Sequence, residues 1–402
     1  MADDVGPGTP KPWTGYLLRA ESLHVLDGVL YAGGDRLAAF EATTGRTLWT
    51  RGSGRILSTA GERYLYVDCR DGTITAINRL TGEDVWSRTR PRWLRGPRPV
   101  TRLGLSLQLR RHLGAAKQAE LVDGLLICAF NRGFVAFDAD TGRRIWGRFI
   151  GNWRTDTVVA DRTVPIIDRR WRRTAALHPR TGRLLWHAPA LLRQRLPNRD
   201  VLASSADEGW ALVDPWTGKQ LVGLRMGQAY PQRLFGAGTD LIHLLLGQGT
   251  AALDARSGVP VWVHEPGHAD DFGSPEGACA TDEAVYVADA KGRVRALDPL
   301  DGTVRWTGPP WVDLAELKHW YVHLVVDGNA VVAVAGHRRV AVLDRTTGEL
   351  LWNWSDPSNC PPITRPAVAV DADRVYIAGV EHVYALPIRP AAPAPTTTDR
   401  PR

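Results

Sequence analysis

Apolar and polar residues alternate at period two through most of this chain, in short runs set apart by turn residues. Arg36-Leu37-Ala38-Ala39-Phe40 and Arg293-Val294-Arg295-Ala296-Leu297 are two such runs. This period belongs to half-buried β-strands, not to amphipathic helices. The runs come in groups of four. One group covers 22–26, the turn Asp27-Gly28, then 29–32, 37–40 and 47–49; another covers 276–280, the turn Thr281-Asp282, then 284–288, 293–297 and a strand ending near Trp306. No group holds a long amphipathic helix, which excludes helical solenoids and predicts an all-β chain of four-stranded antiparallel units.

The last two strands of each group carry an eleven-residue pattern: a small or aliphatic residue, an apolar residue, Asp (or Glu, Asn, His), two variable residues, Thr, Ser or Asp, Gly, three residues, and Trp. Its copies span 39–49, 76–86, 136–146, 176–186, 212–222, 252–262, 296–306 and 342–352. The glycines are Gly45, Gly82, Gly142, Gly182, Gly218, Gly258, Gly302 and Gly348, spaced by 37, 60, 40, 36, 40, 44 and 46 residues. Trp49, Trp86, Trp146, Trp186, Trp262, Trp306 and Trp352 close seven copies, and Val222 closes the other. A period near forty indicates stacked units or a propeller. The Asp side chain can accept backbone amides two residues on and start a turn, and the Gly supplies the positive φ of a short bulged hairpin. A large ring at a fixed place in every unit is best used for packing between neighbouring sheets. Four-stranded blades repeated about an axis form a β-propeller.

The copy Ala296-Leu297-Asp298-Pro299-Leu300-Asp301-Gly302-Thr303-Val304-Arg305-Trp306 resembles the Trp-docking repeat of the pyrroloquinoline-quinone-type β-propellers, and the resemblance runs over about 13–388. It implies the propeller fold and leaves activity open. The family holds periplasmic quinoprotein dehydrogenases, the propeller lipoprotein of outer-membrane protein assembly and many non-enzymatic propellers. The dehydrogenases carry a calcium-holding carboxylate/Asn set, and many carry a vicinal cysteine pair. This chain has no adjacent cysteines, so the resemblance points to the non-enzymatic branch with no cofactor.

After the eight units come three further strands, 367–370, 374–378 and 382–386, without a Trp strand. The segment around Trp13 is expected to supply the missing strand and close the ring. The literal count is then nine blades; eight is favoured, since about eight is the usual upper limit. The expected organisation is a disordered N-terminal segment 1–12, one propeller domain 13–389, and a disordered Pro/Ala/Thr-rich tail 390–402.

Composition adds limits. No run approaches eighteen apolar residues, so no membrane span is expected. The first dozen residues lack the basic start and apolar run of a signal peptide, which reads as a cytoplasmic location. Cys69, Cys128, Cys279 and Cys360 have no metal or redox spacing and read as reduced thiols.

Charge changes the picture most. The net charge is +7, yet residues 86–200 hold 24 Lys/Arg against 8 Asp/Glu while the rest holds 26 against 35. One arc, units three to five, is strongly basic, which bears on partners rather than fold. The long insertion after Trp86 carries Arg88, Arg90, Arg92, Arg95, Arg98, Arg102, Arg110 and Arg111 with Trp93; Arg148, Trp153 and Arg154 follow the third unit; Arg169, Arg170, Trp171, Arg172 and Arg173 join two strands of the fourth. In a four-stranded blade these connections leave on one face. Arg forms bidentate bonds to carboxylate or phosphate and stacks on rings. The expected partner is an acidic protein or peptide, with Trp and Arg as anchors. A single-stranded nucleic acid on the same arc is the alternative, and an enzyme or cofactor binder using the central channel is a second. A solvated basic surface in an Arg-rich chain of 45 Arg and 5 Lys is the simplest reading of the same residues. No metal site is expected. The nearest candidate is His264, His268 and Asp271, in a Gly/Pro-bearing loop whose spacing is not fixed.

Overall fold

The computed structural model describes residues 12–17, 20–58, 63–69, 71–91, 116–130, 133–149, 155–157, 164–168, 173–188, 191–195, 202–206, 209–224, 231–237, 240–246, 249–264, 277–289, 292–312, 322–335, 339–355, 367–379 and 381–389. These residues form nine four-stranded antiparallel sheets and no helix. Sheets one to eight each contain four consecutive strands; sheet one, for example, is Ser22–Leu26, Val29–Gly33, Leu37–Glu41 and Thr47–Arg51. Sheet nine is built from both ends of the chain. Its first three strands are Val368–Val370, Arg374–Ala378 and His382–Pro387, and its fourth is Trp13–Tyr16, paired Trp13↔Ala385 through Tyr16↔His382. Closure by the N-terminal strand is thus as expected. Nine sheets stand where eight were favoured, because every repeat builds its own sheet and the terminal strands complete one more.

The first strands face inward. Ser22–Leu26 of sheet one lies against the first strands of sheet two, Gly54–Ser58, and of sheet nine, so the ring also closes along its inner wall. The molecule is a single β-propeller. It is held together by one joint used repeatedly. Each repeat Trp donates its indole Nε1–H to a turn carbonyl of the next sheet: Trp49 to Arg79 (2.9 Å), Trp86 to Ala139 (2.8 Å), Trp146 to Pro179 (2.6 Å), Trp186 to Pro215 (2.8 Å), Trp262 to Pro299 (3.0 Å), Trp306 to Arg345 (3.0 Å) and Trp352 to Ile388 (2.8 Å). Trp13, outside the eight copies, makes the same bond to Ala42 of sheet one at 2.9 Å. With the Val222 joint between sheets five and six, the circuit returns to its start through nine sheets.

The repeat residues serve this joint. In the third sheet Asp138 Oδ1 accepts the Thr141 amide at 2.9 Å and the Thr141 hydroxyl at 2.6 Å, and those bonds hold its carboxyl below the usual range. Gly142 sits at φ 66° with the Trp86 ring against it; a Cβ there would meet Trp86 Cδ2 at 2.5 Å. Positive φ and close approach together require glycine.

A third partner in the joint was not read from the sequence. On the row that carries the Trp, the third strand presents Ala in every Trp-closed sheet but sheet eight, where it presents Val342, and in sheets one, two, seven and nine this small residue lets the Trp ring reach a Tyr on the second strand. Tyr31, Tyr66, Tyr286 and Tyr376 lie 5.9–6.2 Å from Trp49, Trp86, Trp306 and Trp13. The Tyr66 and Tyr376 hydroxyls reach the same carbonyls as the indoles, Ala139 and Ala42, each at 3.4 Å. Burial pushes the Tyr66 phenol up to about 12. In sheet five Val222 stands opposite Leu212 instead of Trp opposite Ala, so bulk has moved inward along the row. Trp210 and Leu212 pack there with Ile242, Leu244 and Leu253 of sheet six.

In sheet six the second-strand position is His243, fully buried, with Nε2 3.0 Å from the Pro299 carbonyl that also accepts from Trp262. Burial lowers its pKa. The unfolded side chain takes a proton near pH 6.5 that the folded one refuses. Stability from this group is therefore complete above about pH 6.5 and is lost as pH falls toward the lowered folded value. His243→Tyr, the residue found at this place in four other sheets, is expected to flatten the fall of the denaturation midpoint between about pH 7 and 5. The flattening is partial, since burial also lowers His24 and His264. An unchanged slope would contradict this role.

Candidate interaction face

The topology fixes which ends of the strands share a face. Connections from second to third strands, and from fourth strands to the next sheet, leave on one side of the ring; the Asp–Gly turns leave on the other. Residues 92–115 join Asp84–Thr89 to Ala116–Val122, residues 150–154 join Arg144–Phe149 to Thr155–Thr157, and residues 169–172 join Val164–Asp168 to Arg173–Leu177. The strand ends that flank all three basic segments therefore lie on one face. Arg92, Trp93, Arg95, Arg98, Arg102, Arg110, Arg111, Trp153, Arg154, Arg169, Arg170, Trp171 and Arg172 themselves fall outside the described residues. Arg173 opens the third strand of sheet four, its backbone paired with Asp168.

Of the arginines in or beside the three basic connections, Arg88, Arg90 and Arg148 have described side chains, and each is engaged within the fold. Arg88 donates from Nε to the Gly142 carbonyl and from Nη2 to the Thr141 carbonyl, both at 2.9 Å. Arg148 donates to the Gly182 carbonyl at 2.8 Å. Both follow a repeat Trp by two residues and clamp the repeat Gly of the next sheet, as Arg51 does with the Gly82 carbonyl. Arg90 pairs with the buried Asp68 and donates to the Cys69 carbonyl at 3.2 Å. The position of Arg88 and Arg148 is thus set by the joint, and that of Arg90 by Asp68. Arg88 and Arg148 keep their charge, because carbonyl dipoles do not neutralise it. Trp-x-Arg in three units was the signal.

A second buried carboxylate marks the same face of sheet seven. Asp289, fully buried, accepts from Arg293 Nε at 2.7 Å and from Arg295 Nη2 at 3.4 Å. Asp68 and Asp289 both stand where a second strand ends, so this rim is braced by buried ion pairs. Removing one partner of such a pair leaves an uncompensated charge. His264 ends the fourth strand of sheet six; His268 and Asp271 lie outside the described residues. Among the described residues no group of three or more His, Cys, Asp or Glu is placed to hold a metal ion. Cys69, Cys128 and Cys279 are free thiols, and burial raises the pKa of Cys69 and Cys128, which suppresses thiolate reactivity. Between sheets one and two a cavity of about 250 Å³ is lined by Arg51, Ser53, Cys69, Thr73, Thr75 and Ser87 among others, and its hydroxyls bond to one another, Thr75 to Ser87 at 3.0 Å.

Residues 29–188 and 247–389 match the sequence family described as outer membrane protein assembly factor BamB. The chain belongs to that family. A curated relative, the outer membrane protein assembly factor BamB of Burkholderia pseudomallei, is 26% identical over 175 residues, which is 41% of this chain and 42% of that protein. The match thus spans less than half of the relative's length. Among solved structures, BamB of Moraxella catarrhalis superposes with a TM-score of 0.53 at 14% identity, covering 93% of this chain and 98% of that one. Quinohemoprotein alcohol dehydrogenase of Comamonas testosteroni superposes with a TM-score of 0.51 at 14% identity, covering 97% and 78%. At these identities both likenesses show the fold alone. The stretch of this BamB-family chain between the two matched segments, 189–246, contains all of sheet five, the sheet whose joint lacks the Trp.

Proposed function

We propose that the chain is a non-catalytic propeller scaffold that engages an acidic protein or peptide through the basic connections of units three to five. The observation that supports this most is the separation of roles. The repeat residues hold the ring together, whereas the excess of 24 Lys/Arg over 8 Asp/Glu in 86–200 is concentrated in segments whose flanking strand ends share one face. Arginines and tryptophans together suit carboxylate-bearing partners: the guanidinium binds carboxylate in a fork and the ring supplies apolar area. Membership of a family named for an outer-membrane assembly factor agrees with a scaffold role.

The test reverses charge where the joint is not involved. R169E, R170E, R172E and R173E in one chain are expected to leave thermal unfolding within about 0.5 kcal/mol of the parent, as for surface changes, and to abolish binding of a labelled poly-glutamate peptide measured by anisotropy. Undiminished peptide binding would remove these segments from the interface. A single-stranded oligonucleotide serves as the second probe. Tighter binding to it than to the peptide, falling steeply with salt, would transfer the arc to nucleic acid.

A further inference from the structure

A line of four aromatic rings crosses the outer groove between sheets eight and nine, and the family repeat does not account for it. Trp354, on the fourth strand of sheet eight (Leu350–Ser355), lies 4.8 Å from Tyr384 on the third strand of sheet nine. Tyr384 lies 6.1 Å from His382, and His382 lies 5.7 Å from Tyr16 on the closing strand, edge to face. All four are partly or largely open to solvent, Tyr16 at 70%. None of the four rings carries a fixed charge, so the line suits a neutral, rigid, apolar ligand. Aromatic-lined grooves of this kind take up polyproline II segments, whose pyrrolidine rings lie on aromatic faces and whose extended shape costs little further ordering.

The chain itself delivers such a segment to this groove. Trp352, two residues before Trp354 on the same strand and the same side, holds the Ile388 carbonyl at 2.8 Å. The chain therefore leaves sheet nine inside the groove, about 7 Å along the strand from Trp354. The sequence that follows Ile388 and Arg389 is Pro390-Ala391-Ala392-Pro393-Ala394-Pro395, which contains a Pro-x-x-Pro spacing. Residues 389–395 in polyproline II span about 22 Å. The strand from Ile388 back to His382, which stands opposite Tyr16, covers about 20 Å. The segment is long enough to turn back and cover the rings.

We propose that the aromatic line Trp354–Tyr384–His382–Tyr16 is a docking groove for a proline-rich extended segment, occupied by the chain's own Pro390–Pro395. A tethered occupant holds the groove at high effective concentration, so a competing proline-rich partner has to displace it. This groove lies on the outer edge of sheets eight and nine, and the inference does not depend on the basic face.

The experiment uses the chain ending at Arg389 beside the full chain, and a labelled synthetic peptide of residues 390–402 as the probe. The shortened chain is expected to bind the peptide saturably, and the full chain about tenfold more weakly, because its own segment competes. Tyr16→Ala in the shortened chain should lose binding while keeping the parent melting temperature, and Trp354→Leu should lose binding with a lowered melting temperature, since Trp354 also packs on the apolar cluster of Val340 and Val375. A peptide with Pro390, Pro393 and Pro395 changed to Ala should not bind. No saturable binding to the shortened chain overturns the groove. Binding untouched by both ring substitutions overturns the assignment of the rings. Equal binding to full and shortened chains overturns the chain's own segment as the occupant.

Discussion

Trp86→Ala is expected to lower the stability of the ring by about 3–5 kcal/mol, the range for truncating a large buried aromatic residue. Trp86 is 5% exposed, lies 6.1 Å from Tyr66 and 6.0 Å from Phe137, and bonds the Ala139 carbonyl across the joint between sheets two and three. Its loss opens a cavity and leaves that carbonyl without its indole donor. Gly142→Ala strikes the same joint from the other side, by forcing a Cβ into the Trp86 ring at a φ of 66°. Because both changes break one contact, their effects are not additive, and the double variant should fall well short of the sum. Denaturant midpoints of the four proteins measure this. Full additivity would show that the indole and the glycine do not share a joint.

Removal of residues 1–16 is expected to have a larger effect, since it deletes a whole strand rather than a ring. Trp13–Tyr16 is the fourth strand of sheet nine, and Trp13 packs 5.8 Å from Phe40 and 6.1 Å from Tyr376 while bonding Ala42. Without it His382–Pro387 becomes an open edge, and sheets nine and one lose the contact that completes the circuit. An unpaired apolar edge invites association with other chains. The shortened chain should aggregate, or unfold in a broad transition at lower temperature, in differential scanning calorimetry. A single sharp transition at the parent temperature would mean that the ring does not need this strand.

How much of this was legible in the sequence depends on the length scale of the signal. The Asp–Gly turn and its Trp form one local pattern, so the hairpins, their order and the role of the indoles could be read from residues such as 296–306. Trp13 lacks that context, since Ala385, which it faces in sheet nine, lies at the other end of the chain; only the shortage of one strand at the C-terminal end points to it. The literal repeat count gives nine and the general limit on propeller size favours eight; the described residues form nine four-stranded sheets, one of them composite. Tyr31, Tyr66, His243, Tyr286 and Tyr376 went unread because their common role depends on cross-strand register, which runs through the Ala of the third strand. The charge of the arc was visible, but not its division. Arg88 and Arg148 look like any other Arg in a composition count, and only the position two residues after a docked Trp marks them as clamps. The aromatic line of sheets eight and nine was hidden for a related reason: Tyr16, Trp354, His382 and Tyr384 come from three distant strands.

Closure of the ring by its own first strand is the claim on which the architecture and both faces rest. The most direct measurement is an engineered cross-link between Tyr16 and His382, which stand directly opposite in the register of sheet nine. In Y16C/H382C, directly opposed antiparallel residues come within disulfide reach. Mild oxidation should give a monomeric product in which peptide mapping joins the two ends of the chain, with a raised melting temperature. If the two thiols stay free, or link only between molecules, the first strand is not in sheet nine and the ring is not closed in this way.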